Sequence, residues 1–161
     1  RGSKILTPLS GNRKVGSDAM ECMYCAEESR QRESLMERLC LLPFSTVYVF
    51  KNQSYYGRCV VAFRGRHCSE LFELNDIELS GFMKDVADVA RAVKKIGNAA
   101  KINYAIYGDL VSHVHFHVVP KIDGGFTWGE AFTMSTDNAV HLSEEAWEEL
   151  KQKLICELQQ S

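Results

Sequence analysis

The 161-residue sequence contains no run of about 18 apolar residues and no secretory signal, so nothing in it points to export or membrane insertion. It also lacks a charge excess: a formal net charge of −2 leaves no electrostatic footprint for nucleic acid or an anionic membrane surface. Internal repeats and low-complexity segments are absent, which argues against a solenoid or an array and for one domain. What is present is ordinary for a soluble globular protein, 45% hydrophobic and 25% charged, with enough chain for a real core. Without an export signal, the six cysteines (Cys22, Cys25, Cys40, Cys59, Cys68 and Cys156) read as reduced thiols or metal ligands rather than a disulfide framework. A cytoplasmic location is the expectation.

Residues 1–19 are polar, contain Gly and Ser and show no apolar periodicity, so they read as a disordered tail or an expression scar, with residues 20–161 as the single domain. Cys22-Met23-Tyr24-Cys25 follows, a spacing that lets one tight turn aim two thiolates at one metal, with a redox pair as the alternative. Glu27 to Leu39 is charged with scattered Leu and Met and reads as a short helix that Pro43 closes off. Ser45 to Phe50 and Arg58 to Phe63 are rich in β-branched and aromatic residues and form a hairpin across the turn residues 52–57, with Arg64 to Cys68 as the loop that leaves it.

Asn75 with Glu78 three residues on predicts a capped helix running to a stop at Gly97. Ile77, Phe82, Val86, Val89, Val93 and Ile96 form its apolar stripe, with Asp85, Asp88, Lys94 and Lys95 on the other face. Lys101 to Tyr107 is a third strand. Ser143 caps a last helix with Trp147, Leu150, Leu154 and Leu158 on its apolar side. Hairpin strands with one long helix among them and one at the end argue for an α+β fold.

Between the third strand and Asp123 lies Ser112-His113-Val114-His115-Phe116-His117-Val118-Val119-Pro120, a fourth strand ended by Pro120. Three of the five histidines alternate here, so His113, His115 and His117 line one face while Val114, Phe116 and Val118 line the other. A half-buried strand accounts for polar residues at these positions but not for three of the same scarce one. A tri-histidine metal centre is one use, although the positions spread over roughly 13 Å along a strand. Nucleophilic catalysis by one imidazole, with its neighbours binding anionic oxygen, is the other.

The H-x-H-x-H run resembles the histidine-triad (HIT) superfamily of nucleotide hydrolases and nucleotidyl transferases. The resemblance runs from about Cys22 to about Trp128 and takes in Gly57-Arg58-Cys59-Val60-Val61, His67 with Glu70 to Leu74, Asn103-Tyr104 and Gly108. The most similar branch is a bacterial group with a shortened loop ahead of the triad and a tail carrying a Trp. It implies an antiparallel sheet with the long helix packed across it, a C-terminal helix and a homodimer. It further implies attack by His115 on the α-phosphate of a nucleoside phosphoramidate or dinucleoside polyphosphate, giving a covalent nucleotidyl-histidine. His117 would contact the phosphate oxygens. Cys22, Cys25, His67 and His113 would hold a structural zinc, with Cys68 as a possible substitute for His67. The nucleoside would touch Val47, Val49 or Phe50.

Two positions depart from that pattern. Asp109 stands where the branch commonly has Asn, and a carboxylate beside a phosphate is repulsive unless protonated or bridged by a metal. Ser112 stands where Pro is frequent. Both are substrate-binding candidates. A zinc-stabilised nucleotide-binding protein with little turnover, or a metal-assisted hydrolase using the triad as ligands, are the alternative functions. His141 reads as a surface residue, and Cys40, Cys59 and Cys156 as small core residues.

Overall fold

In a computed structural model, which describes residues 22–134 and 139–160, five strands form one antiparallel sheet in the order β1-β2-β3-β5-β4. The proposed tail, residues 1–19, lies outside the described residues. The elements run α1 (Arg30–Leu35), β1 (Met36–Leu41), β2 (Ser45–Phe50), β3 (Cys59–Phe63), a single 3₁₀ turn (Leu71–Glu73), α2 (Asp76–Ile96), β4 (Lys101–Ala105), β5 (His115–Lys121) and α3 (Glu144–Gln159). The α+β reading of the sequence holds. No helix among the described residues is long and apolar enough to cross a membrane.

The stretch 27–39, expected to be helical, divides instead into six residues of helix and an edge strand. Ser29 caps the helix through its side chain, and Met36 then pairs with Phe50 and Leu41 with Thr46. Charged Glu37 and Arg38 disguise the strand. They are tolerated because β1 is at the sheet edge, where α3 reaches over: Trp147 Nε1 and Lys151 Nζ both donate to the Glu37 carboxylate, at 2.8 and 2.6 Å.

The sheet separates two apolar regions. On one side α2 and α3 pack on Val47, Val49, Val61 and Phe63, with Phe82, Val89 and Leu150 fully excluded from water. The other side carries a smaller cluster of Met23, Met36, Tyr48, Phe50, Val60 and Ala62 beside the histidines. Period-2 alternation assigns each strand residue to one of these regions.

The capping box at the start of α2 is formed as expected: the Asn75 side chain accepts from the Ile77 and Glu78 amides, and Glu78 reaches back to the Asn75 amide. Three details of the helix differ from the sequence reading. Ile77 is 75% exposed and lies outside the stripe. Gly97 stays in the right-handed region, and Asn98 takes the left-handed conformation that turns the chain (φ 46°). Asp85 is buried, because its carboxylate accepts from the Phe44 amide and the Ser45 hydroxyl, each at 2.8 Å, and so ties the helix to the β1–β2 turn. One helical turn earlier Gly81 leaves room for the Phe44 ring, which an added Cβ would meet at 2.2 Å.

Pro120 does not end the last strand. It pairs with Ile102 inside β5, which continues to Lys121. Buried Lys121 donates to the Thr127 carbonyl and hydroxyl and so fastens the irregular segment after the strand. Cys59 is a core residue as expected, but Cys40 is only half-buried and Cys156 is exposed on the outer side of α3. His141 is exposed.

Candidate active site and metal cluster

His113, His115 and His117 share one face of the sheet edge-on to β3, where Ala62 is the cross-strand partner of His115 and Val60 that of His117. His113 precedes β5 proper. Its neighbour Val114 accepts from the Phe63 amide and donates to the Cys68 carbonyl, which ties this segment to the end of β3 and the loop after it. The face is not a wet one: all three imidazoles are 3–4% exposed. Tyr24 lies over His115 with ring centroids 4.9 Å apart, while Phe50, Tyr107 and Phe132 surround His117.

Burial removes water from these rings, and each imidazole is held below its ordinary pKa of about 6.5. For His113, burial with the nearby His67 and His115 brings it to about 4. For His117, burial and then the Arg58 charge bring it to about 3. His115 is lowered by burial against a backbone hydrogen bond that works the other way. All three rings are neutral at neutral pH, and their hydrogen bonds then distinguish their nitrogens. His113 Nε2 donates to the Phe63 carbonyl at 2.8 Å, which leaves Nδ1 with its lone pair. His115 Nδ1 donates to the His113 carbonyl at 2.6 Å, which leaves Nε2 free.

The free Nδ1 of His113 faces the C-x-x-C turn. It is 3.4 Å from Cys22 Sγ and 3.5 Å from Cys25 Sγ, and His67 Nδ1 is 3.4 Å from Cys25 Sγ. All four donor atoms lie within 4.8 Å of one another. Sulfur and nitrogen ligands on one tetrahedral zinc stand about 3.5 Å apart, given Zn–S near 2.3 Å and Zn–N near 2.0 Å. The spacing and the donor chemistry therefore fit a four-ligand metal site. Burial and the neighbouring Cys22 push the Cys25 thiol up to about 12, a cost that a coordinated cation would offset. The bond from His113 Nε2 to a carbonyl orients this ligand from behind. Cys68 is outside the cluster. It sits in the helix-side core, with Arg66 donating to its sulfur.

The turn itself is built by local hydrogen bonds and one distant clamp. The amides of Cys25 and Ala26 both bond to the Cys22 carbonyl. Buried Arg32 donates to the carbonyls of Met23, Ala26 and Glu27 at 2.7–2.8 Å. Nothing in the sequence singled out this arginine, which sits in a run of charged residues.

The candidate substrate residues are not all together. Phe50 is on the histidine side, its ring 6.3 Å from that of His117. Val47 and Val49 are not: strand alternation turns both into the helix-side core, so they cannot line a cleft opposite the triad. Asp109 and Ser112 are exposed on the segment between β4 and β5. Ser112 borders a cavity of about 290 Å³ together with Cys22, His67, Ser69 and Gln31. That cavity adjoins the Cys/His cluster rather than His115 or His117.

Sequence reading missed three further residues of the site. Tyr24 seemed a spacer inside the C-x-x-C turn. Phe132 comes from an irregular segment with no periodicity. Arg58 is 1% exposed and directly precedes an apolar strand, the one signal that could have marked it.

Against known proteins, the HIT domain model matches residues 45–124. An uncharacterized HIT-like protein of Methanocaldococcus jannaschii is 35% identical over 63 residues, 37% of this chain and 49% of that protein, so the chain spans about half the length of this curated relative. A crystal structure of a histidine triad protein from Bradyrhizobium japonicum superposes with a TM-score of 0.73 at 22% identity, covering 83% of this chain and 97% of that one. A zinc-bound histidine triad family protein from Mycobacterium smegmatis superposes with a TM-score of 0.58 at 19% identity, covering 88% and 96%. The two structures share the fold. The chain carries a HIT domain over residues 45–124, and its fold is the one the histidine triad structures share.

Proposed function

We propose that the protein is a nucleotide hydrolase or nucleotidyl transferase that acts at the α-phosphate of a nucleoside phosphoramidate or dinucleoside polyphosphate, with His115 as nucleophile. The observation that carries this reading is the 2.6 Å bond from His115 Nδ1 to the His113 carbonyl. It directs the ring's lone pair to Nε2, and burial keeps that lone pair unprotonated. Nε2 forms the bond to phosphorus as the bond to the leaving amine or phosphate breaks and its electron pair departs with that group. Water then forms a P–O bond as the N–P bond breaks, releasing a nucleoside monophosphate and the imidazole. His117, 5.2 Å from His115 between ring centroids, would meet the phosphoryl oxygens.

Cys22, Cys25, His67 and His113 would hold a structural zinc, in line with the zinc named for the M. smegmatis protein. With four protein ligands the site is closed and would supply anchoring of the Cys22–Cys25 turn rather than a metal-bound nucleophile. His115 and His117 lie outside that cluster, which weighs against a hydrolase that uses the whole triad as ligands. A homodimer in a reducing, cytoplasmic setting belongs to the same proposal, with β4 as an open sheet edge and all six cysteines free. Turnover of a panel of phosphoramidates and dinucleoside polyphosphates, with His115→Ala as control, tests the reading. Nucleotide binding without turnover across the panel would replace it with a binding protein.

A further inference from the structure

His117 differs from the other two imidazoles in what meets its Nδ1. Arg58 Nη2 stands 3.3 Å away. A guanidinium can only donate, so Nδ1 must accept, and in the neutral ring the proton then sits on Nε2. Among the described residues no carboxylate forms a salt bridge with Arg58, and its Nε is buried without a hydrogen-bond partner. It is held by aromatic faces, with the guanidinium carbon 4.0 Å from the Phe50 ring centre and 5.3 Å from that of Phe132, and by donation from Nη1 to the Met134 carbonyl at 3.2 Å. An unpaired buried cation is costly. Desolvation lowers its pKa to about 10, so it still carries its proton at neutral pH.

We propose that Arg58 is the positioning residue that locks His117 as the neutral Nε2–H tautomer, so that His117 meets a substrate phosphoryl oxygen as a hydrogen-bond donor. The lock itself follows from the geometry of the free protein; its catalytic use rests on the phosphoryl-transfer reading above. The two neighbouring imidazoles then have opposite tautomers. His115 carries its proton on Nδ1 and offers a lone pair, while His117 carries its proton on Nε2 and offers an N–H. Among the described residues, the titratable and charged groups facing His117 are Arg58 just before β3, His115 on the same strand and Tyr107 after β4.

Long-range ¹H–¹⁵N NMR of the full chain, with histidine nitrogens labelled and His117 assigned by comparison with His117→Gln, reads the tautomer directly. The wild type should show His117 protonated on Nε2 alone. Arg58→Met keeps an unbranched apolar stem between the rings and removes the donor, so an Nδ1–H population should appear. Arg58→Lys, which keeps a donor, should restore most of the wild-type signal. With a nucleoside phosphoramidate as probe, kcat of Arg58→Met should fall by on the order of tenfold to a hundredfold with little change in KM. A merely structural role would lower stability without moving the tautomer. Wild-type His117 carrying its proton on Nδ1, or an unchanged tautomer in Arg58→Met, would overturn the proposal. If Arg58→Met does not fold, the wild-type and Arg58→Lys spectra decide it. An NMR result as expected in a protein that turns over no phosphoramidate would sustain the lock and defeat the functional reading instead.

Discussion

The ring of Tyr24 lies 4.9 Å from the ring of His115, and Tyr24 is the third residue of the Cys22–Cys25 turn. The turn that carries two metal-ligand candidates thus also forms a wall of the catalytic candidate. Loosening it would uncover His115, and ordering it would pack an aromatic face against His115 on one side and against Tyr48 on the other.

Metal content follows from this coupling. Purified protein is expected to carry about one zinc per chain, which Cys22→Ser or Cys25→Ser removes together with thermal stability. Elemental analysis and a melting curve check both. A fully folded, metal-free wild type would show that the four side chains meet for another reason.

Arg32 is expected to matter as much as a ligand. Its three bonds to carbonyls of the turn are charge-assisted, and two of them originate from Nη1. Arg32→Met should cost about 2–3 kcal/mol of stability and weaken metal retention, because the buried Met23 carbonyl and the part-buried bonds to Ala26 and Glu27 lose their charged donor. Chemical unfolding with and without a chelator measures this. Equal losses with and without the chelator would place the clamp outside the metal's reach.

The docking of α2 provides a separate check. Phe82 is fully buried in the helix-side core, and truncating it to Ala should cost about 3–5 kcal/mol. Asp85→Ala should cost about 1–3 kcal/mol, since the Phe44 amide and Ser45 hydroxyl lose their acceptor. Urea midpoints of the two variants read these losses, which should leave the histidine face intact.

Stability should also depend on pH through His117. Its folded pKa of about 3 lies below the unfolded value near 6.5, so below pH 6.5 the unfolded chain binds the proton first. The contribution is complete above about pH 6.5 and is lost progressively as pH falls toward 3. His117→Gln should therefore show a flatter decline of unfolding free energy between pH 6.5 and 4 than the wild type. Parallel declines would mean that His117 is protonated equally in both states.

The histidine stretch, the two caps and the helix-side stripe were legible because each is a local pattern of period 2 or 3.6 with a polar signature at its end. The candidate ligand set came from resemblance, and the fold brings Cys22, Cys25, His67 and His113 together across 91 residues of chain. What escaped were residues defined by tertiary context. Strand β1 carries Glu37 and Arg38, whose charges read as helical; α3 covers Glu37 and leaves Arg38 exposed. Val49 looked available to a ligand, but its cross-strand register turns it toward α2. Asp85 counted as surface because a carboxylate seldom lies among Val86 and Val89 on a core face, and its acceptors' partners are 40 and 41 residues away. Arg58 and Phe132 become neighbours only when the segment after β5 folds back.

The central claim is that His115 Nε2 forms a bond to phosphorus, and intact-protein mass spectrometry after rapid mixing with a nucleoside phosphoramidate tests it most directly. One nucleoside monophosphate should add per chain, mapped to His115, and His115→Ala should lose both adduct and turnover. Turnover that persists in His115→Ala, or an adduct mapped to another residue, would contradict it.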